Sequence, residues 1–209
     1  MEIKRTGAAG VLLTLDGKNV LLDGVSREVK PYPATPDTVR DALLRTNLDA
    51  VVITHHHLDH YDAAFVSEYV QKTAGPLAGP ADIQIISVGS LQIQPVESRH
   101  IGKVEDIAHK SFILCGSKCV WFTGDSSPLQ WQGRPDLPKP DVLIAPYAYA
   151  IGTGWKVTKA LAPKVLVLLH LPERSNDPYG LWDAVEQTIA ENDGPQVLIP
   201  QIGETIQID

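Results

Sequence analysis

The sequence of 209 residues lacks the features of a membrane protein or a nucleic-acid-binding protein. No apolar run approaches the roughly 20 residues that a membrane helix needs. Basic residues form no run, and 18 Lys and Arg against 25 Asp and Glu give a formal net charge of −7. This balance argues against a broad nucleic-acid footprint and an anionic membrane surface. We therefore expect a small-molecule substrate, with no nucleic-acid or membrane partner, and the sequence leaves a homo-oligomer open.

The N-terminal residues resemble a secretory signal without its cleavage site. Lys4 and Arg5 precede an apolar stretch over residues 8–15, but no small-residue cleavage site follows. Asp16-Gly17 instead supplies a short hairpin turn before a second apolar run. We interpret the segment as a strand and expect a cytoplasmic protein.

Cysteine is scarce, with only Cys115 and Cys119 in the chain. They lie four residues apart and flank a predicted hairpin turn, so a disulfide and two free thiols both fit. The expected cytosolic setting favours free thiols. Neither cysteine is a good candidate for a metal ligand.

The chain shows neither the charge excess nor the low-complexity bias of disorder, and no repeat of fixed period. We expect one domain over residues 1–209. Hydrophobic period and turn residues predict helices near 37–47, 63–73, 155–162 and 178–192, and a Gly/Pro-rich loop at 75–80. They predict strands near 2–6, 10–15, 19–23, 49–54, 83–87, 91–97, 111–115, 118–123, 141–145, 165–169, 196–199 and 204–208. Many strands with a few helices indicate sheets whose outer faces are covered by helices, a four-layer α/β arrangement.

A cluster of histidines, residues 55–60 with the sequence HHHLDH, follows one of the predicted buried strands. In a helix His55 and His57 would point about 200° apart, whereas in an extended chain positions i and i+2 share a side. The cluster is therefore predicted to be a loop in which His55, His57, Asp59 and His60 bind metal. His56 faces away from them and is not expected to be a ligand.

Imidazole and carboxylate ligands together suit zinc, iron or manganese, and a pair of ions needs more ligands than this loop holds. Three further candidates lie at or just beyond the ends of predicted strands, namely His100, Asp125 and His170. Functional groups at strand ends converge on one edge of a sheet. His109 lies nine residues after His100 and is an alternative to it.

The order of these residues resembles the signature of the metallo-β-lactamase superfamily: His-x-His-x-Asp-His, a lone His, Gly-Asp after a strand, and a final His after another strand. The chain looks like a small member without a cap. The resemblance implies an αβ/βα sandwich with the metals at one edge. Among branches, the setting of His100, segment 140–146 and the loop after His170 are most similar to the ascorbate-6-phosphate-lactonase-like group.

The resemblance also implies a role for each candidate residue. His55, His57 and His100 would bind a first metal, Asp59, His60 and His170 a second, and Asp125 would bridge them. His100 is preferred to His109 because the family's third histidine directly follows a strand; His109 would then contact a ligand or the substrate.

The resemblance implies a hydrolase with two divalent ions. Zinc is the expected metal, and manganese and iron are alternatives. A hydroxide held between the ions would attack a small ester, lactone or phosphoester. Asp59 would orient that hydroxide or carry a proton to the leaving group. Two other functions stay open: redox chemistry at a di-iron centre, which would need an external electron donor, and a non-catalytic metal-binding module.

Overall fold

The computed structural model describes residues 1–73, 75–102 and 107–209. Four α-helices lie in this part of the chain: α1 (Asp37–Arg45), α2 (Ala63–Lys72), α3 (Gly152–Leu161) and α4 (Leu181–Glu191). The strands of the first half are β1 (Glu2–Arg5), β2 (Val11–Leu15), β3 (Lys18–Leu22), β4 (Ala50–Val52), β5 (Leu77–Ala78), β6 (Ile86–Val88) and β7 (Leu91–Glu97). Those of the second half are β8 (Lys110–Cys115), β9 (Cys119–Phe122), β10 (Val142–Pro146), β11 (Val165–Leu169), β12 (Gln196–Leu198) and β13 (Thr205–Gln207).

The strands form two mixed sheets. The first has six strands in the order β13-β1-β2-β3-β4-β5, and the second has seven in the order β12-β11-β10-β9-β8-β7-β6. Strands β3, β4 and β5 run parallel, as do β9, β10, β11 and β12. β8 is antiparallel to both β7 and β9, so the C-terminal ends of β7 and β9 lie at the same edge.

The main core lies between the two sheets. Alternate residues of each strand point inward, as the two-residue period of a strand requires. Leu13 and Leu22 of the first sheet belong to one buried cluster with Leu114 and Phe122 of the second. Burial of these apolar side chains holds the sheets face to face.

Helices cover the two outer faces. The outward residues of the first sheet, such as Val51, pack against Leu43 of α1 and Phe65 of α2. Those of the second sheet, such as Leu143, share a cluster with Trp155 of α3 and other helical residues. The layers therefore run helix, sheet, sheet, helix, and the predicted four-layer α/β sandwich is confirmed. None of the helices in the described part is long and apolar enough to cross a membrane.

The Gly/Pro-rich segment differs from its prediction as a loop, because Leu77–Ala78 forms the short strand β5. Leu77 and Ala78 pair with Val51 and Val52 of β4. Two paired residues are too short a stretch for a hydrophobic period to reveal.

Leu13 offers a test of the core between the sheets. It is fully buried, and Leu13→Ala should lower the free energy of unfolding by about 2 to 5 kcal/mol through lost transfer energy and the cavity left behind. Urea denaturation measures this change. The control Ile83→Ala, at a side chain 80% exposed, should stay within about 0.5 kcal/mol of the wild type. Equal effects of the two substitutions would contradict the placement of the core.

Candidate metal centre

The seven predicted ligands come together at one edge of the sandwich. Each lies just beyond the C-terminal end of a strand: the histidine loop after β4, His100 after β7, Asp125 after β9 and His170 after β11. Strands that end at one edge deliver their following residues to one place. Within the cluster, His57 and His100 are half-buried and the other five are buried.

Three imidazoles form a first group. The donor atoms of His55, His57 and His100 all lie within 4.8 Å of one another. His55 Nε2 and His57 Nδ1 are 3.0 Å apart. Burial lowers the pKa of both His55 and His57, which favours the neutral imidazole that a metal requires.

A carboxylate and two imidazoles form a second group. The donor atoms of Asp59, His60 and His170 also lie within 4.8 Å of one another. His170 Nε2 and Asp59 Oδ2 are 3.1 Å apart. His170 has a left-handed backbone with φ of 58°, which is uncommon for a residue other than glycine.

Asp125 lies between the two groups. Its Oδ2 is 3.3 Å from His60 Nε2, 3.4 Å from His170 Nε2 and 3.7 Å from His100 Nε2. Gly124 makes this placement possible, because its φ is +52° and an added Cβ would lie 2.6 Å from Thr54 Oγ1. The Gly-Asp pair in the sequence thus has a steric reason.

Asp23 is a member of the site that the sequence analysis missed. Its fully buried carboxylate accepts hydrogen bonds from the Thr54 backbone N–H at 2.7 Å and from the Thr54 hydroxyl. His60 Nδ1 lies 2.8 Å from Asp23 Oδ2. Asp23 directly follows β3, so the strand-end rule that found the other ligands would also have found this carboxylate.

The hydrogen bonds of His55, His60 and His100 indicate which nitrogen of each ring carries the proton. Thr54 gives its only hydroxyl hydrogen to Asp23, so His55 Nδ1, 3.0 Å away, donates to the Thr54 oxygen. His60 Nδ1 donates to Asp23 in the same way, and His100 Nδ1 donates to the Ile101 carbonyl at 2.6 Å. The Nε2 lone pair of each ring is therefore directed away from these partners.

Several atoms of the candidate ligands are buried with no hydrogen-bond partner: His60 Nε2, His100 Nε2, Asp125 Oδ1 and His170 Nδ1. Buried polar atoms are normally paired, so such a group needs an explanation. A bound cation would satisfy His60 Nε2, His100 Nε2 and Asp125 Oδ1. The donor set therefore fits a metal ion.

The charges of the site also fit a bound cation. Burial would lower the pKa of His60, but the carboxylates of Asp125 and Asp23 outweigh burial and raise it. Burial would raise the pKa of Asp125, but His170 and His60 outweigh burial and hold it well below its usual range. The carboxylates thus stabilise positive charge between them, whether a proton or a metal ion carries it.

His109 and His56 lie outside the two groups. His109 is buried, its Nδ1 is 2.7 Å from Ser98 Oγ, and burial lowers its pKa to about 3. Its ring centroid is 4.9 Å from that of His55. The donor atom that lies within 4.8 Å of those of both His55 and His57, however, belongs to His100. His56 is exposed and its ring lies against Tyr61.

An aromatic side chain borders the second group. The ring of Tyr32 meets that of His170 edge-on, with centroids 4.2 Å apart. Burial raises the pKa of Tyr32, and nearby Tyr147, Asp125 and Asp59 add to the rise. The phenol of Tyr32 therefore stays protonated beside the site. No strand-end or spacing pattern in the sequence indicated this contact.

Asp23 provides a test of how the ligands are oriented. Asp23→Ala removes the acceptor of both Thr54 and His60, so His60 loses its fixed tautomer. Metal affinity should fall by about 10- to 100-fold, as is common for the outer partners of a ligand imidazole. Competition with a chromogenic chelator measures the affinity. An unchanged affinity in folded Asp23→Ala protein would contradict this role.

The choice between His100 and His109 is tested by parallel substitutions. His100→Ala should remove a ligand and lower bound metal per chain, measured by elemental analysis after dialysis. His109→Ala should leave metal content near that of the wild type, because His109 belongs to neither group. The reverse result would make His109 the ligand.

Comparisons with known proteins indicate the family of the chain. A family model described as "Beta-lactamase superfamily domain" matches residues 2–170, a span that includes all seven candidate ligands. A UPF0173 metal-dependent hydrolase of Ignicoccus hospitalis is 25% identical over 91% of this chain and 94% of that protein. Another, of Saccharolobus solfataricus, is 36% identical over 59 residues, so the chain matches only 24% of that relative's length.

Solved structures show the same fold. A possible metal-dependent hydrolase of Veillonella parvula superposes with a TM-score of 0.71 at 19% identity, covering 100% of this chain and 99% of that one. At this identity the likeness concerns the fold alone. Both curated relatives are named metal-dependent hydrolases, in agreement with the predicted enzyme class. Because the family model covers well over half of its length, the chain belongs to the beta-lactamase superfamily.

Proposed function

We propose that the protein is a metal-dependent hydrolase with two divalent ions, which cleaves a small ester, lactone or phosphoester. One observation carries the proposal: Asp125 Oδ2 lies within 3.7 Å of imidazole nitrogens from both ligand groups. A carboxylate in this position suits a bridge between two ions. The names of the curated relatives support the same enzyme class.

The assignment of ligands follows the two groups. His55, His57 and His100 would hold the first ion, and Asp59, His60 and His170 the second, with Asp125 shared. Nitrogen and oxygen donors suit zinc, and also manganese or iron. Such ions activate water as a nucleophile and take up negative charge that develops on the substrate.

Asp59 is the proposed catalytic side chain. Burial would raise its pKa, but His170 and His60 outweigh burial and lower it, so the carboxylate is ionised at neutral pH. An ionised carboxylate at the second group can orient the attacking water and accept its proton. It can then deliver that proton to the leaving group.

For the substrate we propose a lactone or a phosphorylated, sugar-like ester. The support is the resemblance of the His100 setting, segment 140–146 and the loop after His170 to the ascorbate-6-phosphate-lactonase-like branch. The protonated phenol of Tyr32, next to His170, supplies a hydrogen-bond donor that suits the oxygens of such a substrate.

The test combines elemental analysis with a panel of lactones, phosphodiesters and thioesters. Zinc- or manganese-loaded protein should hydrolyse at least one class, and a chelator should abolish the activity. Asp125→Asn and His57→Ala should lower kcat/KM by more than about 100-fold, since even the outer partners of metal ligands are worth about 10- to 100-fold.

His56→Ala is the matched control, because His56 is next to His57 in the sequence but its side chain is exposed. It should leave the rate unchanged. Equal rates in wild type, His57→Ala and Asp125→Asn would overturn the proposal. So would a protein that carries only iron and hydrolyses nothing in the panel, which would favour the di-iron redox alternative.

A further inference from the structure

Arg5, the last residue of β1, is a buried arginine that the metal-dependent chemistry does not use. Its guanidinium donates to four backbone carbonyls. Nε donates to Gly7 at 3.0 Å and Nη1 to Pro200 at 3.0 Å, while Nη2 donates to Ala8 at 3.0 Å and to Leu171 at 3.5 Å. The four acceptors come from the β1–β2 loop, the chain after β11 and the chain after β12.

The charge of Arg5 is not compensated by a carboxylate among the described residues. Burial alone lowers its pKa, to about 10, with no charged neighbour contributing. A buried cation without a counter-ion costs free energy, so it persists only where hydrogen bonds compensate for that cost. The planar fork of a guanidinium can reach carbonyls in several directions at once, which an ammonium at a single point cannot do.

One of the four carbonyls also binds His170. The backbone N–H of His170 donates to the Ala8 carbonyl at 3.0 Å, the same oxygen that accepts from Arg5. Leu171, whose carbonyl is another acceptor, is the next residue after His170. Arg5 therefore contacts the backbone after His170 directly, at the Leu171 carbonyl, and the His170 N–H indirectly, through the shared Ala8 carbonyl.

The conformation of His170 explains why such a clamp is needed. Its φ of 58° is unfavourable for an L-residue and persists only where the surroundings fix it. The hydrogen bond from His170 to Ala8 also joins the second sheet to the first at the edge where the candidate ligands meet.

We propose that Arg5 is a positioning residue of the metal centre, which fixes the left-handed backbone of His170 through the Ala8 and Leu171 carbonyls. This inference rests on the proposed function, which assigns His170 to the second ion. It predicts a selective effect. Loss of Arg5 weakens binding at the Asp59, His60 and His170 group and leaves the His55, His57 and His100 group unchanged.

The experiment compares Arg5→Gln and Arg5→Lys with Ile3→Val, a control in the same strand. Ile3 is fully buried but makes none of the clamp's hydrogen bonds. Cadmium-113 NMR gives one resonance for each bound ion, and competition with a chelator gives the two dissociation constants. The second ion would have one more carboxylate and one fewer imidazole than the first, and this difference distinguishes the two resonances.

Arg5→Gln should lower the affinity for the second ion by about 10- to 100-fold, a range typical of residues that orient a ligand. The affinity for the first ion should change by less than about threefold. Arg5→Lys keeps the charge but not the fork, so it should lie between Arg5→Gln and the wild type. It carries the test if Arg5→Gln does not fold. Ile3→Val should retain both affinities.

Two results would overturn the inference. One is unchanged affinity for both ions despite a lower unfolding temperature, which would make Arg5 merely structural. The other is an equal loss at both ions. Wild-type protein that binds no cadmium would instead overturn the proposed function itself.

Discussion

The candidate site depends on the hydrogen bonds that the buried carboxylate of Asp23 accepts. This carboxylate accepts from Thr54 and from His60, and through the Thr54 hydroxyl it also sets the proton of His55. The bonds at His55 and His60 place the ring proton on Nδ1, so that the lone pair of each ring is on Nε2. A metal can bind an imidazole only through that lone pair, so Asp23 orients one donor in each of the two groups.

The site also depends on how the two sheets are held together. Asp23 and the histidine loop follow strands of the first sheet, whereas His100, Asp125 and His170 follow strands of the second. Distances between these two sets are set by the apolar core between the sheets and by bonds across the edge, such as that from His170 to Ala8. Burial of apolar surface far from the ligands therefore controls their separation.

Much of this arrangement was predictable, because it follows from local rules. Buried strands have a hydrophobic signal, and a polar residue after such a strand must lie at a sheet edge, which located the candidate ligands. Three features had no such signal. Strand β5 is too short for a period, the contact of Tyr32 with His170 joins segments distant in sequence, and the clamp of Arg5 acts on backbone carbonyls of any residue type. Asp23 differs from these three features, because it directly follows β3 and the rule that located the candidate ligands applies to it as well.

The division between strands and loops explains why the reaction class is easier to infer than the substrate. The candidate ligands follow the ends of strands, so residue type and order are enough to indicate the chemistry. The surroundings of the second group come from connecting segments: Tyr32 lies before α1, and Tyr179, which adds to the rise in the pKa of Tyr32, is 69% exposed. Leu58, within the histidine loop itself, is 50% exposed. Side chains on such segments can change without altering the strands that precede the candidate ligands, so substrate preference can vary while the candidate site is kept.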